Sequence, residues 1–79
     1  CDFLIRRGTQ ITAAIQVCYS FDIKETKTRE IIGIVEAMKT YTLSEGLILT
    51  NNTEEEITSD NQTIRVVPVW KWALQNNEK

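Results

Sequence analysis

A chain of 79 residues that is 42% apolar and 25% charged builds one small soluble domain, which excludes disordered, fibrous and membrane-spanning classes. Nine basic against eleven acidic residues give a net charge of −2, so the charge does not indicate nucleic acid as the partner. With no histidine and only two cysteines, histidine-based triads and four-ligand zinc sites are excluded, and a reducing cytoplasm is favoured.

The chain begins at Cys1 without an initiator methionine, which indicates a segment of a longer protein. We expect one domain over residues 1–75 and a flexible tail over residues 76–79. Because a domain of this size buries only about 60% of its extended surface on folding, its stability is marginal and an oligomer is expected.

Two runs of strand-forming residues, 2–7 and 11–19, flank Gly8 and predict a β-hairpin. Neither run alternates cleanly between apolar and polar residues, so helices should cover both faces of the sheet. With a loop over residues 8–10, Arg7 faces Ile11 and Asp2 lies opposite Gln16.

Residues 27–42 carry an apolar stripe with helical spacing, formed by Ile31, Ile34, Val35, Met38 and Tyr41. Thr26 or Thr28 is the expected N-cap. Gly33 in mid-helix costs about 1 kcal/mol relative to alanine, which indicates a close approach to the sheet.

Residues 47–50 form a short buried strand, parallel to the second hairpin strand because a helix connects them. Residues 51–62 read as a polar loop in which the run 54–56 is a solvated acidic surface. The last strand, residues 63–67, should return antiparallel, and Pro68 should begin a final helix. The predicted class is α/β, in the order β-hairpin, α, β, β, α, with a mixed four-stranded sheet whose last strand is antiparallel.

Gln16 is a large amide between two apolar residues in a buried strand, and it requires a hydrogen-bond partner. The predicted register brings Asp2, Gln16 and Cys18 to one sheet face. Arg29 and Glu30 of the helix either lean toward the same place or have the commoner roles of an exposed arginine and a first-turn glutamate that opposes the helix dipole. The alternative is structural: Asp2 is solvated, Gln16 bonds a loop backbone and Cys18 is a small core residue.

Trp70 and Trp72 lie two residues apart in the final helix, so at most one can face the core fully. An edge contact or an interface is the usual role of such a pair. A stacking platform for bases is the rarer one.

Several segments form an ordered set that covers nearly the whole chain: Asp2-Phe3-Leu4-Ile5, Ile15-Gln16-Val17-Cys18-Tyr19, Glu25-Thr26, Arg29-Glu30-Ile31, Gly46-Leu47-Ile48-Leu49-Thr50 and Ile64-Arg65-Val66-Val67-Pro68-Val69-Trp70-Lys71-Trp72. No single motif is specific, but the ordered set resembles one domain family. It is the uncharacterised C-terminal domain of predicted bacterial and archaeal AAA+ ATPases, which is similar to the PD-(D/E)xK restriction-endonuclease-like superfamily.

The resemblance implies a truncated restriction-endonuclease-like core that lacks its first strand. It gives Asp2 the metal-binding aspartate position, Gln16 the glutamate or glutamine position and Cys18 the lysine position, with Thr26, Arg29 and Glu30 lining the site. Asp2 and Gln16 would then hold Mg²⁺. The chain departs from the pattern, because a thiol cannot supply the ammonium that stabilises phosphoryl charge and a lone carboxylate holds Mg²⁺ weakly.

We therefore expect a catalytically inactive accessory or interaction domain, with no cofactor of its own, attached to the rest of a parent ATPase. The alternatives are a metal-dependent nuclease or nucleic-acid-binding domain active only in the full-length parent, and a purely structural domain. No phosphate-binding loop is present, so the chain itself should not bind ATP. We also expect a cytoplasmic homodimer that pairs through the exposed edge at residues 1–7 or through Trp70 and Trp72.

Overall fold

A computed structural model describes residues 2–59 and 61–76. Cys1 and the tail residues 77–79 lie outside the described residues. Five strands and two helices follow one another along the chain: β1 (Phe3–Arg7), β2 (Gln10–Val17), α1 (Lys24–Thr40), β3 (Glu45–Thr50), β4 (Glu55–Ser59), β5 (Gln62–Pro68) and α2 (Val69–Asn76).

The strands form one mixed sheet in the order β1-β2-β3-β5-β4. The three central strands β2, β3 and β5 are parallel, and the edge strands β1 and β4 are each antiparallel to their neighbour. The α/β class is confirmed, whereas the predicted order with two strands between the helices and the four-stranded sheet are wrong, because β4 is a fifth strand.

The prediction that the last strand returns antiparallel to β3 is also wrong. Residues 51–54 carry the chain past the position of β5, and β4 then runs back along the edge of the sheet. A hairpin at Asn61, whose φ is 67°, reverses the chain again, so β5 enters between β3 and β4 parallel to β3. Two reversals restore the original direction, where the predicted loop supplied only one.

The hairpin of β1 and β2 turns at Gly8, which has φ 62°, as predicted. Its register differs at the turn, where Arg7 faces Gln10 rather than Ile11. A β-bulge then leaves Thr12 with no residue opposite it on β1, and beyond the bulge Phe3 faces Ile15. The bulge therefore cancels the one-residue difference in register at the turn. Continuing the pairing by one residue beyond Phe3 and Ile15 sets Asp2 opposite Gln16.

Helix α1 begins at Lys24, three residues before the predicted start, and its N-cap is Ile23, which makes no side-chain capping bond. Thr26 and Thr28 are therefore helical residues, and the capping prediction is wrong. The helix ends at Thr40, and Thr42 adopts a φ of 56° in the connection to β3. Tyr41 is consequently an exposed cap residue, although the rest of the predicted stripe packs inward.

The main core lies between α1 and one face of the sheet. Gly46 of β3 allows the helix to pack this closely, since a Cβ there would lie 2.8 Å from the sulfur of Met38. Helix α2 packs on β3 and β5. Pro68 is the last residue of β5 rather than the first of α2. The buried apolar residues of this core are Ala14, Cys18, Phe21, Ile34, Met38, Ile48, Ile64 and Val66.

Candidate functional site

Gln16 lies at the centre of the predicted site and is 4% exposed. Its Nε2 donates one hydrogen bond to the backbone oxygen of Glu30, at 2.9 Å, and another to the Glu30 carboxylate. An ideal Cβ on Gly33 would lie 3.4 Å from the same Nε2. Gly33 therefore provides the close approach predicted from the sequence, and the amide of Gln16 fastens β2 to α1.

The oxygen of this amide is an exception to the usual pairing of buried polar atoms. Gln16 Oε1 is buried and has no hydrogen-bond partner among the described residues. Because both Nε2 hydrogens reach acceptors on Glu30, exchanging the oxygen and nitrogen would replace two good hydrogen bonds by repulsive contacts. Gln16 Nε2 therefore bonds within the fold, and Oε1 remains as one neutral acceptor.

Asp2 directly precedes β1 and lies beside the end of β2. Its Oδ2 accepts a hydrogen bond of 2.9 Å from the backbone N–H of Val17. One carboxylate oxygen is thus engaged with the backbone of β2, where it fixes the beginning of β1 against its neighbour. The Asp2 carboxylate therefore binds the backbone of β2, and it does not share a ligand with Gln16.

Cys18 follows on the same face as Gln16 and is buried. Its backbone N–H donates to Leu49 O at 2.8 Å, which continues the pairing of β2 with β3. Burial raises the pKa of its thiol, and the negative charges of Glu30 and Asp2 act in the same direction, while a backbone hydrogen bond at Ser20 and the charge of Arg29 oppose them. The thiol is therefore neutral near pH 7 and supplies neither a cation nor a thiolate nucleophile.

The structure thus brings Asp2, Gln16, Cys18 and Glu30 into one neighbourhood, with Arg29 within electrostatic reach of the thiol. Thr26 lies in the first turn of α1 and caps no helix end. The sequence reasoning placed Glu30 near the site but missed its role as the partner of Gln16. The signal was Gly33, one helical turn after Glu30 and in contact with the same amide.

The donor set does not fit the Mg²⁺ that the resemblance implies. Within the described ranges, no three His, Cys, Asp or Glu side chains converge as a metal-ligand set. Gln16 directs its nitrogen at the carboxylate of Glu30, and Cys18 keeps its proton. A hard divalent cation takes several oxygen ligands with carboxylates among them, and one orphaned amide oxygen does not replace them.

A second surface lies on the opposite face of the sheet, where β1 and β2 extend beyond α2. An apolar groove of about 420 Å³ runs along it. Trp72 forms one wall of this groove, and Trp70 is exposed on another side of α2. The groove is lined by Phe3, Leu4, Ile5, Ile15, Leu49 and Trp72.

Neither helix of the described residues combines the length and apolar content needed to cross a membrane. Searches for similar proteins found no family model, no curated protein and no solved structure that matches the chain.

Proposed function

We propose that this chain is an accessory interaction domain with a degenerate nuclease-like core, attached to the rest of a cytoplasmic AAA+ ATPase, and that it does not catalyse a reaction itself. The observation that carries the proposal is the hydrogen bonding of Gln16. Its amide donates both hydrogens to Glu30. The side chain at the position where the resemblance requires a metal ligand therefore links β2 to α1.

Two features of the neighbourhood support the same proposal. A nuclease of this type needs a cation to stabilise the phosphoryl charge, and a buried, protonated thiol stands at that position. The acidic groups that act on this thiol, Asp2 and Glu30, would repel a phosphate backbone, and Arg29 is the basic side chain that acts on it in the opposite direction.

The proposal is tested by calorimetric titration of the chain with Mg²⁺ and Mn²⁺, and by cleavage assays on single- and double-stranded DNA with each metal. We expect neither saturable metal binding nor cleavage. Asp2→Asn is the matched variant, since it removes the charge and retains an oxygen that can accept from Val17. Saturable binding and cleavage that are both lost in Asp2→Asn would show a nuclease instead.

The accessory role is tested separately, in the longer polypeptide that joins this domain to its ATPase region. We expect removal of residues 2–76 to lower the thermal stability or the assembly of that region. An ATPase region with unchanged stability, assembly and ATP turnover would contradict the accessory role.

A further inference from the structure

We propose that β1 is a self-association edge, through which two copies of this chain pair antiparallel with their Leu4 residues facing each other across a two-fold axis. Within residues 2–59 and 61–76, no strand lies on the outer side of β1. Three consecutive apolar side chains are exposed on this strand, Phe3 at 58%, Leu4 at 40% and Ile5 at 46%. An exposed apolar edge strand is a template for another strand.

The direction of the backbone groups on β1 follows from contacts of β2. The N–H of Cys18 points to β3, so the N–H of Val17 points to β1, where Asp2 accepts it. The hydroxyl of Thr12 donates to Ile5 O at 3.2 Å, which shows that this carbonyl also points to β2. Since backbone groups alternate along a strand, the N–H and C=O groups of Leu4 and Arg6 point outward.

These outward groups select one register for a second copy. Antiparallel pairing of Leu4 with Leu4 also sets Asp2 of each copy opposite Arg6 of the other. Asp2 Oδ2 keeps its hydrogen bond from Val17, so the other oxygen of this carboxylate pairs with Arg6, and the dimer contains two identical ion pairs at its ends. Shifting the register by two residues in either direction loses these pairs and leaves outward groups unmatched.

The same register joins the apolar surfaces of the two copies. Phe3 of one copy faces Ile5 of the other, as a pair without mutual backbone hydrogen bonds, in which side chains approach most closely. Both residues line the groove on the face that α2 leaves exposed, and no charged side chain lines it. Association thus extends the groove of each copy into a continuous apolar surface across the axis.

This inference goes beyond the proposed function and does not depend on it. The accessory role is decided by metal, cleavage and parent-stability assays. Self-association is decided by mass alone, so that either conclusion can fail while the other stands.

The test is a charge exchange read by sedimentation equilibrium at concentrations up to about 1 mM. The wild-type chain should approach twice its mass of 9.1 kDa. Arg6→Asp places two acidic residues opposite each other, and Asp2→Arg places two basic ones, so each variant alone should dissociate at least about tenfold more readily. Mixed in equal amounts, the two variants should form a heterodimer, because every cross-strand pair is then of opposite charge.

Lys24→Asp is the control for Arg6→Asp, since it makes the same change in net charge at an exposed residue of α1. It should dimerise as the wild type does. Leu4→Pro removes an outward N–H without removing a bond to β2, and it should yield a folded monomer by circular dichroism, which decides the matter if a charge variant does not fold. A wild-type monomer at every concentration, or a dimer indifferent to Arg6→Asp and Leu4→Pro, overturns the proposal. A wild-type chain that stays monomeric would mean that this edge pairs with a strand from elsewhere in a longer polypeptide.

Discussion

Strand β4 borders the sheet with Glu55 and Glu56, whereas β1 borders the opposite side with Phe3, Leu4 and Ile5. Ion pairs tie the β4 side to both helices: Lys27 of α1 contacts Glu55 at 2.7 Å, and Lys71 of α2 contacts Glu54 at 2.6 Å. Acidic side chains disfavour pairing with another strand, and exposed apolar ones favour it.

The two edge strands differ in whether their apolar side chains pack against the core or are exposed. On β4, Ile57 packs against the core, and the charges beside it keep the edge in water. On β1 the side chains of Phe3, Leu4 and Ile5 are exposed, and they lie on both faces of the sheet. The β4 edge therefore contributes to folding, while β1 leaves exposed the apolar surface that the proposed self-association would cover.

The same substitution at each edge should separate these two roles most strongly. Ile57→Asp introduces a charge against the core and should lower the free energy of unfolding by about 2–3 kcal/mol. Ile5→Asp should cost the monomer less than about 1 kcal/mol, since its side chain is already half in water, but it should weaken association. Urea unfolding and sedimentation measure the two quantities.

Ile57→Val and Ile5→Val are the conservative controls, and both should behave nearly as the wild type does. Equal losses of stability in the two aspartate variants would mean that β1 is as much a part of the core as β4.

Thr42→Gly should change stability without changing association. The residue holds a φ of 56°, which is strained for a β-branched side chain, so glycine should raise the free energy of unfolding by about 1 kcal/mol. Thr40→Gly, inside the helix, should lower it by a similar amount, about 1 kcal/mol. Urea unfolding checks both variants, and a dissociation constant that moved with either would link folding to the β1 edge.

Removing the ion pairs of β4 should have a smaller effect. The double variant Glu54→Gln and Glu55→Gln should lose less than about 1 kcal/mol, because the four side chains are each about a third or more exposed and solvent screens them. Unfolding measured at low salt and at about 1 M salt should differ less in the variant than in the wild type. An equal salt response would show that the pairs contribute nothing.

The smallest effect is confined to alkaline pH and concerns Cys18. Since burial raises the pKa of its thiol in the folded state, its contribution to stability is complete below the ordinary pKa of a thiol and is lost as pH rises through the folded-state pKa. In a Cys1→Ser background, stability should decline with alkaline pH, and Cys18→Ala should reduce that decline. Urea unfolding from neutral to alkaline pH checks this, and identical slopes would contradict a buried, protonated thiol.

The sequence was sufficient for the features that depend on local pattern. The hairpin follows from Gly8, the helix from its apolar spacing, and the contact between Gly33 and the sheet from the cost of glycine in a helix. The neighbourhood of Asp2 and Gln16 was found although the turn was misplaced, because the bulge at Thr12 corrected the register.

Strand β4 could not be predicted in the same way. Its residues include two glutamates and a single apolar side chain, Ile57, because an edge strand of this kind is solvated along much of its length. Because the sequence predicts a loop at β4, it also predicts that β5 runs antiparallel to β3. The helix start at Lys24 was missed because Ile23 caps it without a side-chain bond, and the pairing of Gln16 with Glu30 depends on how closely α1 packs.

Amide hydrogen exchange along β1, followed by NMR at low and high protein concentration, tests the self-association edge most directly. The outward N–H groups of Leu4 and Arg6 should become protected as concentration rises, while those of Phe3 and Ile5, which face β2, should stay protected throughout, and the amides of β4 should not respond. Exchange at Leu4 and Arg6 that is independent of concentration, or protection that appears on β4 instead, would contradict the assignment of β1 as the contact edge.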